Sequence, residues 1–212
     1  MALLPPKENA IASLVSNEAI ASHHACLKIG VDSEEDGGVA FTDDSITIAL
    51  SEAMPEGLIA LNSDCINNLD LSPAQTVIEK LLNDGAIASC EQQLRFEIDY
   101  LRDPTDPREL SEIPEVRLWF IRLDAYYPWM PFLLDWKAGE LARYTAMLVP
   151  HQFNRTEGIQ YNPEALEIFV MQKIFVLTNW LNAQGIPSQS RAQSMAQLLG
   201  YELDSAFFDL IQ

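Results

Sequence analysis

Residues 162–185, NPEALEIFVMQKIFVLTNWLNAQG, carry the strongest helix signal in the chain. Asn162 is a typical N-cap, Pro163 fits the first helical turn, and Gly185 fits the position just past the end. The residues on one face repeat at helical spacing: Leu166, Phe169, Val170, Ile174, Leu177 and Leu181. Ile168, Met171, Phe175 and Trp180 extend the apolar surface round the helix. Because a helix that is apolar all round is usually central, we expect this one to lie in the core.

Three further helices and a short terminal one are predicted on either side. Ser72-Pro73-Ala74-Gln75 has the pattern of a helix start, with Ser72 as N-cap, and the helix ends at 83–85. The stretch Lys137 to Val149 predicts a second helix, Ser190 to Leu199 a third, and the residues after Asp204 a short terminal helix.

Strands are predicted between these helices. Leu58 to Leu61 indicates a short strand, and the alternation over 94–100 indicates a strand with one buried face. Val116 to Leu123 (VRLWFIRL) is evenly apolar, which favours a central strand. A loop with three prolines, 103–114, separates these last two segments and suggests an antiparallel pair. The predicted fold class is therefore α+β, with a small, mainly antiparallel sheet packed against several helices.

The first 90 residues differ from the rest of the chain in aromatic content. Of nineteen Phe, Tyr and Trp residues, only Phe41 falls within 1–90, and an acidic run at 32–36 precedes two glycines. Because aromatic side chains supply much of a core's buried area, we predict a weakly ordered extension over residues 1–56 and a single domain over 57–212. The alternation at 46–50 leaves room for a short strand in that extension.

The charge balance restricts the class of partner. Thirteen basic residues stand against 31 acidic ones, a net charge of −18, which repels nucleic-acid phosphates and favours a neutral or basic partner. A string at 195–201 resembles the turn of a helix-turn-helix, but the helix after it contains no Lys or Arg. No secretory leader or membrane span is recognisable, so we expect a cytoplasmic protein without membrane insertion.

Signals for catalysis or cofactor binding are weak. Cys26, Cys65 and Cys90 form no C-x-x-C pair, and no nucleophile-elbow or phosphate-loop motif occurs, so we predict no metal site, no cofactor and no catalytic residues. An enzyme that uses His151 with Glu157 or Glu164 is the alternative function, and it requires these groups to meet in a concave pocket. An iron–sulfur carrier that uses the cysteines is a third hypothesis.

The densest aromatic run, Trp119 to Trp136 (WFIRLDAYYPWMPFLLDW), carries the binding hypothesis. Its first two aromatics are expected in the core. Two prolines push the middle of the run into a surface turn, where aromatic and Met side chains are typical of protein-binding patches. The residues predicted to bind a partner are Arg122, Asp124, Tyr126, Tyr127, Trp129, Met130 and Trp136. The alternative, that the turn folds back as a lid, stays open.

Two long strings resemble a known family. They are IPEVRLWFIRLDAYYPWMPFLLDWKAGELARYTAMLVPHQFN, which begins at Ile113, and EGIQYNPEALEIFVMQKIFVLTNWL, which ends at Leu181. Both are similar to the chlororespiratory reduction six family of cyanobacteria and chloroplasts, and the resemblance covers about residues 57–212.

The resemblance implies an assembly factor, a chaperone of the photosynthetic NAD(P)H dehydrogenase-like complex. Its implied client is subunit I, the ferredoxin-like iron–sulfur subunit of the peripheral arm, and other assembly factors are further expected partners. It also implies a stromal or cytoplasmic protein that is absent from the finished complex and has no catalytic residues. Residues 1–56 have no counterpart in the shorter members.

Overall fold

The computed structural model describes residues 56–85 and 87–211. Within them the chain forms seven α-helices and two separate two-stranded sheets, one parallel and one antiparallel. The α+β class is therefore confirmed, although antiparallel pairing does not dominate. The predicted extension lies outside the described residues apart from Glu56, and so does the short strand expected at 46–50.

The domain begins with a parallel strand pair connected by two helices. Strand β1 (Leu58–Asn62) leads into α1 (Ser63–Asn67) and α2 (Ser72–Asn83), and the chain returns as β2 (Arg95–Asp99). The register runs from Leu58 beside Arg95 to Asn62 beside Asp99. Gly57 precedes β1 with φ of 86°, and a Cβ there would lie 2.3 Å from the Gln93 carbonyl oxygen, so only glycine fits.

The rest of the domain is mainly helical. A 3₁₀ turn (Leu110–Glu112) precedes α3 (Pro114–Tyr126), and a second 3₁₀ turn (Met130–Leu133) precedes α4 (Glu140–Leu148). A hairpin of β3 (His151–Asn154) and β4 (Gly158–Tyr161) follows. The last elements are α5 (Pro163–Ala183), α6 (Gln189–Leu198) and α7 (Ser205–Ile211).

The core lies where α3 and α4 meet the parallel pair, and α5 contacts these two helices through Phe169 and Lys173. Trp119 and Phe120 of α3 are fully buried, which confirms their expected place in the core. Phe120 contacts Phe96 of β2 and Tyr144 of α4 edge-on, with centroid distances of 5.0 and 6.3 Å. Burying such large rings stabilises the fold by several kcal/mol, roughly 1.5–3 for each large apolar side chain.

The predicted central strand at 116–123 is wrong, because this segment forms most of helix α3. An evenly apolar run fits a buried strand and a buried helix equally well. Pro114, which was assigned to the preceding loop, occupies the first turn of the helix.

The predicted antiparallel partner of β2 is therefore wrong too, since β2 pairs with β1. Among the described residues, no third strand joins β1 and β2 in their sheet. Side chains of α4 instead form hydrogen bonds with the backbone of Phe96 in β2. The Phe96 amide donates to Glu140 Oε2 at 3.3 Å, and the Phe96 carbonyl accepts from Arg143 at 3.0 Å. Burial raises the pKa of the Glu140 carboxyl, and the nearby Arg143 opposes this shift.

The predicted helix ends are confirmed with two local corrections. Asn162 caps α5, accepting a hydrogen bond from the Ala165 amide at 3.0 Å. Ser72 is not the N-cap of α2: it is the first helical residue, and its amide and hydroxyl both donate to the Asp70 carboxylate at 2.9 Å. Helix α4 starts later than predicted, because Gly139 before it has φ of 76°, outside the helical region.

Candidate partner-binding surface

Helix α3 has an apolar face on both sides. Its inner face, Val116, Trp119, Phe120 and Leu123, is completely buried. Its outer face presents Leu118 (54% exposed), Ile121 (47%) and Tyr126 (62%), with Arg122 and Ala125 exposed among them. We call Leu118, Ile121, Arg122, Ala125 and Tyr126 the α3 outer stripe. Their spacing of three and four residues places them on one side of the helix.

Arg122 is the charged member of this stripe. No hydrogen bond or ion pair joins it to another described residue. The pKa of nearby Asp70 is lowered mainly by hydrogen bonds from Ser72, and Arg122 adds only a smaller electrostatic contribution. The guanidinium is therefore free to meet an acidic or carbonyl group of a partner, which is the role in which arginine is enriched at interfaces.

Asp124 faces inward, away from the stripe's solvent side. Its carboxylate forms an ion pair with Lys173 of α5 and accepts a hydrogen bond from the Tyr144 hydroxyl of α4. The Lys173 side chain is 0% exposed and also donates to the Pro128 carbonyl at 3.3 Å. Burial lowers the pKa of Lys173, and Asp124 counteracts this. Asp124 thus fixes α3 and the following turn onto the core.

The aromatic turn after α3 forms a row of contacting rings. Tyr126 and Tyr127 have centroids 5.2 Å apart, and Tyr127 and Trp129 are 5.4 Å apart. Trp129 then stacks face to face on Trp180 of α5, with centroids 4.4 Å apart and planes 5° from parallel. Tyr127 is only 7% exposed, whereas Trp129 and Trp180 are half-buried. The row joins the exposed Tyr126 to the end of α5.

Besides Tyr127, two further predicted binding residues lie inside the domain. Met130 is fully buried in the second 3₁₀ turn, all of whose residues are buried. Trp136 is 8% exposed, and its indole N–H donates to the Pro131 carbonyl at 2.8 Å. Of the seven predicted residues, Arg122, Tyr126 and partly Trp129 therefore reach the surface, and the second half of the turn folds back like a lid.

Leu118 and Ile121 were not among the predicted binding residues. They were assigned to a central strand, of which only Arg122 was predicted to bind a partner. The signal that identifies them is the start of the helix at Pro114: once 114–126 is helical, the segment has more apolar residues than one buried face accommodates.

His151 lies in a cleft of about 540 Å³, but without the carboxylate that the enzyme hypothesis requires. Its Nε2 lies 2.8 Å from Ser111 Oγ, and its Nδ1 lies 3.1 Å from the Val149 carbonyl oxygen. Glu157 instead accepts a hydrogen bond from Gln160. Ser111 is 6% exposed, and the Ser111–His151 pair ties the first 3₁₀ turn to the hairpin.

Over 56–85 and 87–211, no cluster of three or more His, Cys, Asp or Glu side chains has a geometry that could hold a metal ion. Cys65 and Cys90 are both free thiols, and burial raises the pKa of Cys90. None of the helices in these ranges combines the length and apolar character needed to cross a bilayer.

Comparison with known proteins identifies the family. The sequence model described as "Chlororespiratory reduction 6" matches residues 61–210, which is most of the chain and nearly all of the described domain. The chain belongs to this family. The family has a role in accumulation and assembly of the NAD(P)H dehydrogenase-like complex.

The matched range runs from the end of β1 to the last turn of α7 and contains the whole α3 outer stripe. No solved structure matches the chain. The family assignment therefore rests on sequence.

Proposed function

We propose that this protein binds the ferredoxin-like subunit I of the NAD(P)H dehydrogenase-like complex while the peripheral arm is assembled. The α3 outer stripe supplies the contact, and the protein releases its client without chemical change to either partner. Other assembly factors of the complex are further proposed partners. The observation that supports this most directly is an exposed apolar helix face with an unpaired arginine at its centre.

The chemistry of the stripe suits a protein partner. Leu118, Ile121 and Tyr126 provide apolar area, and Tyr and Arg are the residue types most enriched among side chains that dominate binding energy. Residues spaced by three and four along one helix fit a groove or a second helix of the partner. Burying an aliphatic side chain fully is worth roughly 1.5–3 kcal/mol, so two such side chains give a measurable share of the affinity.

The surroundings of the stripe make it selective. The protein carries a net charge of −18, which disfavours acidic partners at a distance. Arg122 makes the charge of the stripe locally positive. A partner with a carboxylate opposite Arg122 and basic groups further out therefore complements both the local charge and the net charge of the protein. The ordered backing of Asp124, Lys173 and Tyr144 keeps α3 in place before the client arrives, which reduces the entropy lost on binding.

The decisive measurement is the affinity of purified subunit I for stripe variants. Leu118→Ser with Ile121→Ser removes the apolar centre of the stripe, and both positions are at least 47% exposed, so folding is retained. The control is Leu101→Ser with Phe153→Ser, which alters two exposed apolar residues elsewhere, at 88% and 46% exposure. We expect the stripe variant to bind at least about tenfold more weakly, and the control to bind like the unmodified protein.

Equal binding by the stripe variant, the control and the unmodified protein would reject the α3 outer stripe as the client site. Replacing Tyr127 and Trp129 together by Ala is a poorer test, because Tyr127 is nearly buried and Trp129 stacks on Trp180. That variant should lower stability as well as binding. Tyr126→Ala changes the exposed end of the aromatic row alone and should weaken binding without such loss.

A further inference from the structure

A second exposed apolar surface lies on α5 and α7, away from the α3 outer stripe in sequence. Ile168 and Phe175 of α5 are 71% and 43% exposed, and Leu210 of α7 is 75% exposed. The two helices are in direct contact, since the rings of Phe175 and Phe207 meet edge-on with centroids 5.8 Å apart. Leu210 lies one turn beyond Phe207, so the exposed side chains of both helices border one another.

The apolar row on α5 has helical spacing. Ile168, the half-buried Met171 and Phe175 lie three and four residues apart, on the opposite side from core residues such as Val170 and Ile174. We call Ile168, Met171, Phe175 and Leu210 the α5–α7 surface. Met and aromatic side chains adapt to the shape of an inserted helix, which favours a helical ligand.

The exposed charges on the two helices themselves are all negative. Glu164 and Glu167 are exposed within one turn of Ile168, and Asp209 is exposed beside Leu210. None of the three forms an ion pair with a described residue. The only cation in either helix is Lys173, which is 0% exposed and paired with Asp124. An apolar row with an acidic rim and no exposed cation is complementary to a helix with basic flanks.

We propose that the α5–α7 surface binds the apolar face of a basic amphipathic helix from a second polypeptide. The occupant is not a second copy of this chain, because two molecules of charge −18 with acidic rims repel each other. It also differs from the ligand of the α3 outer stripe, which must accommodate Arg122. This goes beyond the proposed function: two surfaces of different charge allow one molecule to hold a client and a further subunit or factor at once.

The test uses the full chain and a synthetic helix of about five turns, with Leu on one face and Lys on the others. Binding is followed by fluorescence anisotropy of the labelled peptide at low and at moderate salt. A peptide of the same composition with Leu distributed around the helix is the control ligand. We expect the unmodified protein to bind the amphipathic peptide and not the control peptide.

Variants then assign the binding to this surface. Ile168→Ser with Leu210→Ser should weaken peptide binding by about tenfold or more, since both side chains are largely exposed in the free protein. Glu164→Gln with Glu167→Gln should weaken it less and should reduce its dependence on salt. Leu118→Ser with Ile121→Ser, on the α3 outer stripe, should leave peptide affinity unchanged, which separates this proposal from the client site.

Three results would overturn the proposal. One is equal peptide affinity for the Ile168/Leu210 variant and the unmodified protein, which reduces the binding to non-specific charge attraction. Another is equal binding of the two peptides by the unmodified protein. The third is a dimer in light scattering that the Ile168/Leu210 variant abolishes, which assigns the surface to self-association.

Discussion

Helices α3 and α5 are built alike but face different surroundings. Each is apolar nearly all round, each buries one face in the same core, and each leaves large apolar side chains outside. The outer face of α3 carries a free arginine, whereas that of α5 carries only carboxylates. The two outer faces therefore differ mainly in charge, and this difference is the ground on which we propose different partners for them.

The two helices are joined at one buried polar point. Asp124 of α3 pairs with Lys173 of α5, and the Tyr144 hydroxyl completes the cluster. The Lys173 ammonium also lies 5.5 Å from the centre of the Phe169 ring and 6.0 Å from that of Tyr144, positions that favour a cation. Lys173 is the one charged residue within an otherwise apolar helix face, so the pair fixes which part of α5 meets α3.

The largest expected effect follows from breaking this pair. Asp124→Ala leaves Lys173 buried without a counter-charge and Tyr144 without its acceptor, so the free energy of unfolding should fall by about 3–5 kcal/mol. Urea unfolding followed by tryptophan fluorescence measures the change. The aromatic row should loosen with it, because Lys173 also holds the Pro128 carbonyl.

The control replaces both charges together. Asp124→Leu with Lys173→Met removes the buried charges as well as the ion pair, and its stability should stay within about 1 kcal/mol of the unmodified protein or exceed it. A loss below about 1 kcal/mol in Asp124→Ala alone would mean that the pair is hydrated and does not join the helices.

The same comparison explains what could be predicted from sequence. Helix α5 was predictable because its ends carry local signals: Asn162 caps it and Gly185 lies just past it with φ of 70°. Helix α3 was not predictable from sequence. Its apolar residues show neither the alternation of a strand nor the spacing of an amphipathic helix, and only Pro114 marks its start. Periodicity is informative when one face is polar, and α3 has no such face.

The sheet illustrates a second kind of limit. The alternation in β2 was a correct local signal, since Phe96 is buried between exposed neighbours. Its partner was not encoded locally: parallel pairing with β1 spans two helices, and the proline loop that suggested a hairpin leads instead into α3. Pairing depends on the whole domain.

The candidate surface was predictable in part for the same reason. Tyr126 and Arg122 stand at the end of a helix and are exposed, as an aromatic turn with prolines suggested. Met130 and Trp136 come later in the same run but are buried, Met130 in the second 3₁₀ turn and Trp136 just after it. Prolines indicate that a segment is irregular, and they do not indicate on which side of it solvent lies.

A smaller effect is expected where α4 meets the α3–α5 pair. Burial, with a further contribution from Asp124, raises the pKa of Tyr144 well above its ordinary 10.0. The folded protein therefore keeps this proton above pH 10, where the unfolded chain loses it. The resulting stability is fully present below about pH 10 and is lost as pH rises beyond it, by roughly 1.4 kcal/mol per pH unit for this one group.

Tyr144→Phe tests this sign. At neutral pH the variant should lose about 1.5–3 kcal/mol, the usual worth of a hydrogen bond to a charged group. Between about pH 9 and 11, however, its urea stability should decline less steeply than that of the unmodified protein. Tyr126→Phe, at an exposed position, is the control and should leave the slope unchanged. Parallel slopes for all three proteins would show that the Tyr144 hydroxyl is not buried.

The smallest expected effect concerns the outer faces themselves. Leu118→Ser with Ile121→Ser on α3, and Ile168→Ser with Leu210→Ser on α5 and α7, should each change the free energy of unfolding by only about 0.5 kcal/mol. These side chains are between 47% and 75% exposed, so the folded state gains little from them over the unfolded chain. If a variant unfolds at the same urea concentration as the unmodified protein but no longer binds, its apolar residues contribute to partner binding and not to the stability of the fold. A loss of 2 kcal/mol or more at either face would instead indicate that this face is covered within the molecule, and that the charge difference between α3 and α5 plays no part in choosing partners.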